Sequence, residues 1–230
     1  SIWELGQPVH PADLILVNKF RQDIGLGTIQ VEAVLEPSLA SISLYPDWFG
    51  WPNILSPKAG RCFGFPYLDD PNSQLPADVR AFIAEHGKPI VFTAGTGVQE
   101  ISRFFDVARG LHLETGRPVI FVSMFADTAV DAALPGFRVY QYLDHAQLFP
   151  LAAAVVHNGG IGATAQCMRA GTPQVVVPLV WDQPDNAERV EELGIGVAVP
   201  LGELSVEAMK AICEKFDTMA RKKVMLVAAA

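Results

Sequence analysis

At 230 residues, half of them apolar and 18% charged, the chain can build a sizeable core and is not a disordered segment. Its 25 acidic residues against 17 basic ones, a formal net charge of −8 with no block of Lys or Arg, exclude a surface built for nucleic acid or anionic membrane. Three scattered cysteines, Cys62, Cys167 and Cys213, lack the paired spacing of a zinc site or a disulfide framework. No stretch is long enough to span a bilayer, and the opening residues lack the basic and apolar regions of a signal peptide. A cytoplasmic protein with reduced thiols is expected.

In chain order, "LILVNKFRQDIGL" predicts a helix ending at Gly25 and "ASISLYP" a strand; residues 47–76, rich in Pro and Gly, read as a connector. One helix and one strand cannot bury their own apolar faces, so this segment is expected to close a domain whose earlier part lies elsewhere. From residue 89 a different rhythm begins. Short apolar runs at 89–94, 118–124, 138–143, 153–157, 173–179 and 196–201, bounded by Gly or Pro, read as strands buried on both faces. Between them, 98–113 carries Ile101, Phe104, Phe105, Ala108 and Leu111 on one helical stripe. Further helices are predicted at 161–170, 184–193 and 205–220. Alternating strands and helices imply right-handed crossovers and an α/β fold, a doubly wound, Rossmann-like parallel sheet.

Sites in such sheets gather beyond the carboxyl ends of the strands. There lie 95–97 ("GTG"), 142–145, 157–164 and 181–183. In "VVHNGGIGATAQ", residues 155–166, His157 and three glycines precede a helix, and a turn of that kind exposes backbone N–H groups and the positive end of a helix dipole to an anion. Gly160, Gly162 and Ala165 also satisfy a dinucleotide fingerprint with Asp182 as the ribose carboxylate, but such fingerprints belong to the first βα turn of a sheet and this one follows the fourth strand. Plainer roles compete: Tyr142 as core packing or base platform, Trp181 as lid or plug, His145 as a surface or capping residue, Cys167 as core, and His10, His86 and His112 as solvated side chains. "LDD" at 68–70 reads as turn chemistry.

The block "VVHNGGIGATAQCMRAGTPQVVVPLVWDQPDNAERVEELGIG" resembles the donor-binding signature of UDP-glycosyltransferase-like enzymes, the GT-B family 1 type, and is similar to bacterial rhamnosyltransferases and glycosyltransferases of lipids and natural products. The resemblance implies two facing Rossmann-like domains. Residues 1–66 would be the end of the N-terminal acceptor domain and the start of the linker, 67–84 the linker, and 85–225 the donor-binding domain. It assigns His157 and the N–H groups from Gly159 through Gly160, Gly162 and Ala163 to Thr164 to the donor pyrophosphate, with Gly95 and Thr96 opposite. Tyr142 and Leu143 would lie at the nucleobase, Gln166 at the ribose, and Trp181, Asp182 and Gln183 at the sugar. Asn158 and Ala163 stand where the commonest bacterial form has histidine and threonine.

The implied reaction is inverting transfer of a hexose from a UDP- or dTDP-sugar to a hydroxyl of a lipid or small molecule, without metal or cofactor. The catalytic base is expected in the acceptor domain, so no catalytic residue is assigned to this chain, which should be inactive alone and prone to self-association through its exposed remnant. A nicotinamide oxidoreductase domain and a sugar-nucleotide epimerase relative are the alternatives.

Overall fold

A computed structural model describes residues 11–29, 42–50, 61–68, 70–95, 101–126 and 134–218. The chain divides into two compact units, residues 1–68 and 69–230.

In the first unit α1 (Pro11–Asp23) is followed by β1 (Ile42–Ser43) and β2 (Arg61–Cys62), paired in parallel. Asn18 exchanges hydrogen bonds with the backbone of Ile29, at 2.9 and 2.7 Å, and so fastens the segment after α1 back onto the helix. Most large apolar side chains of α1 face water, with Ile15 at 69% and Phe20 at 64% exposure.

The second unit is built on a six-stranded parallel sheet in the order β5-β4-β3-β6-β7-β8. The strands are β3 (Ile90–Thr93), β4 (Val119–Val122), β5 (Phe137–Tyr140), β6 (Ala154–His157), β7 (Gln174–Val176) and β8 (Gly196–Ala198), each inside a run expected from the sequence or within a residue of it. Every residue of β3, β4 and β6 is buried, as continuous β-branched runs covered on both faces should be. On one face Phe92, Phe121 and Val156 pack with α3 (Ile101–Thr115) and α7 (Val206–Thr218), through Phe104, Leu111 and Met209. On the other, Val91, Ile120 and Val155 pack with α2 (Ala77–His86), α4 (His145–Leu148) and α5 (Ile161–Ala170), through Phe82, Leu148 and Cys167. Helix α6 (Gln183–Glu192) connects β7 to β8. Each large side chain so buried stabilises the fold by about 2 kcal/mol.

The sequence reading needs two corrections here. Residues 77–86, with 77–84 expected as linker, form α2, and Val79 and Phe82 are buried in the second core cluster. Their i, i+3 spacing after Pro76 is short and sits in proline-rich surroundings, which hide its periodicity. His112, expected to be solvated, is only 9% exposed and donates from Nδ1 to the Arg117 carbonyl at 2.8 Å. His86 leans on Phe82, ring centroids 4.9 Å apart, and His10 lies outside the described residues. Asp70 accepts the Asn72 N–H at 2.8 Å, a local turn contact as expected.

Candidate functional site

The sheet order places β3 between β4 and β6, and the helices after β3 and β6 lie on opposite faces. Loops that diverge from adjacent strands open a crevice at such a point. The segments following β3 and β6 meet there: a methyl built on Gly95, φ +73°, would fall 3.0 Å from Asn158 Nδ2. Thr96, its expected companion, lies outside the described residues.

Gly159, φ +85°, turns the chain from β6 into α5. A β-carbon at this position would meet Val176 Cγ1 at 2.8 Å and the Gln183 carbonyl at 3.1 Å, so both dihedral and space require glycine. Its N–H donates to His157 Nδ1 at 3.1 Å, and its carbonyl accepts from Asn186 Nδ2 at 2.9 Å.

His157 is wholly buried. Because Nδ1 accepts, the neutral ring carries its proton on Nε2 and donates it to Gln174 Oε1 at 2.9 Å. Burial pulls its pKa down to about 4; the Gln174 bond opposes that shift and His145 adds to it. Both nitrogens of the neutral ring are engaged inside the fold, and through them His157 shapes the turn.

α5 starts from Gly160 with no side-chain cap. The N–H groups expected to bind phosphate divide into used and unused. That of Gly159 goes to His157, that of Gly160 lies 3.5 Å from Asn158 Oδ1, and that of Thr164 bonds the Gly160 carbonyl at 3.1 Å. Thr164 is also fully buried, and its hydroxyl donates to the same carbonyl, so it locks the first turn. The N–H groups of Ile161, Gly162 and Ala163 are the ones not used by any such bond among the described residues. Such free donors, with the dipole behind them, can attract an anion, with a helix-dipole contribution of up to about 2 kcal/mol.

The segment after β7 completes the rim. Trp181 is 79% exposed at φ +62°, the one positive φ outside glycine among the described residues, so it is no plug. Asp182 is exposed, with Oδ2 accepting from Asn186 Nδ2 at 2.9 Å. Gln183, expected at a sugar, is buried, and its Oε1 accepts the N–H groups of Leu179 and Val180 at 2.9 and 3.0 Å. It builds the turn that presents Trp181 and Asp182.

Beyond β5, Tyr142 is 81% exposed, which removes the core-packing alternative, whereas Leu143 is buried beside Leu148 and Phe149 and can offer only its backbone. Asp144 caps α4 by accepting the Ala146 N–H at 2.9 Å and takes the Ser73 hydroxyl as well. His145 stacks on Phe149 at 4.4 Å, and burial lowers its pKa. Gln166 lines a groove of about 320 Å³ with Asp144, Gln147 and Arg169. Among the described residues no group of three or more His, Cys, Asp or Glu side chains could hold a metal ion.

Two residues of this network, Gln174 and Asn186, carry no role in the sequence reading. Gln174 is the one polar residue of an otherwise apolar run, and Asn186 lies four residues after Asp182 on one helical face.

Residues 116–225 match the family described as Erythromycin biosynthesis protein CIII-like, C-terminal domain. Among curated relatives, the O-mycaminosyltylonolide 6-deoxyallosyltransferase of Streptomyces fradiae is 32% identical over 178 residues, 74% of this chain and 39% of that protein. The vancomycin aglycone glucosyltransferase of Amycolatopsis orientalis is 44% identical over 84 residues, 36% of this chain and 20% of that one. Residues 116–225 thus carry the C-terminal domain of that family, and the relatives it resembles are glycosyltransferases. Solved glycosyltransferases share its fold: the calicheamicin glycosyltransferase CalG4, TM-score 0.69 at 22% identity, covers 97% of this chain, which in turn covers 56% of it. The glycosyltransferase VinC in complex with dTDP has a TM-score of 0.67 at 20% identity, covering 96% of this chain and covered to 55%. The chain therefore spans little more than half of these structures, and two fifths or less of the two curated relatives.

Proposed function

We propose that the chain supplies the donor half of a glycosyltransferase that moves a hexose from a UDP- or dTDP-sugar to a hydroxyl of a lipid or natural product, with inversion and without metal. The observation that carries this reading is the uncapped amino end of α5 at the switch point of the sheet, opposite Gly95. The N–H groups of Ile161, Gly162 and Ala163 would seat the pyrophosphate, with Gly95 closing the far side. Tyr142 and the Leu143 backbone would flank the base, Gln166 the ribose, and Asp182 and Trp181 the hexose. The names of the relatives and the dTDP in VinC support a nucleoside-diphosphate donor.

The chemistry suits the seat. As the acceptor oxygen attacks the anomeric carbon, the bond to the diphosphate breaks and negative charge builds on the leaving oxygens. Fixed N–H dipoles stabilise that charge more in the transition state than in the bound sugar. No residue here is assigned to take the acceptor's proton, and that base belongs to an acceptor domain.

Calorimetric titration of the chain with UDP, dTDP, GDP and NADPH tests the reading. UDP or dTDP should bind, GDP more weakly. No binding of either pyrimidine nucleotide, or saturable binding of NADPH in their place, would overturn it.

A further inference from the structure

Asn186 is 4% exposed, and its side-chain amide reaches two acceptors on different loops. One is the Gly159 carbonyl at 2.9 Å, in the corner that leads to the proposed anion seat; the other is Asp182 Oδ2 at 2.9 Å. An amide nitrogen has two hydrogens, so both bonds form at once and use its donor capacity completely. The corner and the carboxylate come from segments following β6 and β7, and α6, which carries Asn186, packs between them through Gln183 against Gly159.

We infer that Asn186 is a positioning residue that holds Asp182 and the Gly159 corner at a fixed separation, so that sugar and diphosphate of one donor molecule are gripped together. This rests on the donor-site reading above. Three features support it. The amide is buried, so its bonds are not exchanged for water. Asp182 is exposed and bonded through Oδ2 to Asn186, which turns a mobile surface carboxylate into an aimed one. And Gly159 has its N–H tied to His157, so the Asn186 bond to its carbonyl fixes the peptides on both sides of that residue. A ligand that bridges two prearranged groups gains from both without ordering either.

The test separates the sugar's share of affinity from that of the nucleotide. The ratio of UDP-glucose to UDP affinity, or of the dTDP pair if that binds more tightly, is measured by calorimetry in four chains: unsubstituted, Asp182→Ala, Asn186→Ala and the double variant. Asp182→Ala should lower the ratio by about tenfold in the unsubstituted chain, the scale of a hydrogen bond to a charged group. In the Asn186→Ala background it should add nothing, since its carboxylate is no longer aimed. Equal, additive losses in both backgrounds would overturn the inference and leave the donor-site reading standing. No binding by the unsubstituted chain would remove that reading and this inference with it. A second measurement needs no change at Asn186: in Asp182→Ala, the backbone amide resonances of residues 159–163 should shift as the freed amide relaxes. Unmoved resonances would overturn the coupling even if Asn186→Ala failed to fold.

Discussion

His157 Nδ1 accepts the N–H of Gly159 at 3.1 Å, so a side chain two residues upstream, not a ligand, closes the corner at the head of α5. The bond exists only while that nitrogen is unprotonated, which makes the turn sensitive to acid.

Stability should therefore fall between neutrality and pH 4. The folded-state pKa of His157 is held at about 4 by burial, against roughly 6.5 in an unfolded chain. Between those values the unfolded state binds the extra proton, so the contribution is complete above pH 6.5 and is lost as pH falls toward 4; its full size is on the order of 3 kcal/mol. His145, also depressed by burial, acts with the same sign. Urea melts at pH 7.5, 5.5 and 4.5 check this against a His157→Asn variant: the gap between the two chains should narrow as pH drops. A constant gap would refute it.

Two glycines three residues apart should respond in opposite ways. Gly159→Ala meets Val176 at 2.8 Å and must hold φ +85°, so a loss of at least about 2 kcal/mol is expected. Gly162 has open space where a methyl would go and lies in the first turn of α5, so Gly162→Ala should stabilise by roughly 0.5–1 kcal/mol while weakening UDP, whose phosphates would use that space. Denaturant midpoints and calorimetry on the same samples decide both.

At Trp181 stability and function should part company. A tryptophan at φ +62° stores strain of about 1–2 kcal/mol, and 79% exposure recovers little of it by packing. Trp181→Gly should raise the melting temperature and reduce affinity for the nucleotide sugar relative to the free nucleotide. A melting temperature that falls would mean the indole is held by contacts that favour this backbone.

Helix α1 should drive association. Ile15, Leu16 and Phe20 are each more than 60% exposed on consecutive turns, an apolar surface that water disfavours. Sedimentation should show concentration-dependent oligomers that a Leu16→Lys, Phe20→Lys chain lacks; a monomer at all concentrations would count against it.

The sheet was legible because six short apolar runs separated by Gly or Pro leave few alternatives, and the helix 161–170 because its glycine-rich start and Gly171 bracket it. α2 was not, since two buried residues in ten are a weak periodic signal beside Pro76. At the site, sequence located the segments but not the bonds that their side chains make inside the fold. His157, Thr164 and Gln183 stand at positions that suit a ligand, yet each turns inward to bond the backbone or Gln174. Spacing along a chain identifies which loop a polar group serves; only packing decides whether it faces the crevice or the core. Asn186 escaped for the converse reason: its partners, Gly159 and Asp182, are far apart in sequence on one side and a single helical turn away on the other.

With the N–H and the carbonyl of Gly159 both fastened, the corner ahead of α5, where the proposed donor's diphosphate would sit, is set before a ligand arrives. Capture then requires no conformational search, and its rate depends on diffusion and on the field around the molecule. That field comes from a chain of net charge −8, which repels a diphosphate at long range even though the helix end attracts it at contact. Dissolved salt screens the distant repulsion more than the close attraction, so a more concentrated electrolyte should hasten the arrival of the ligand.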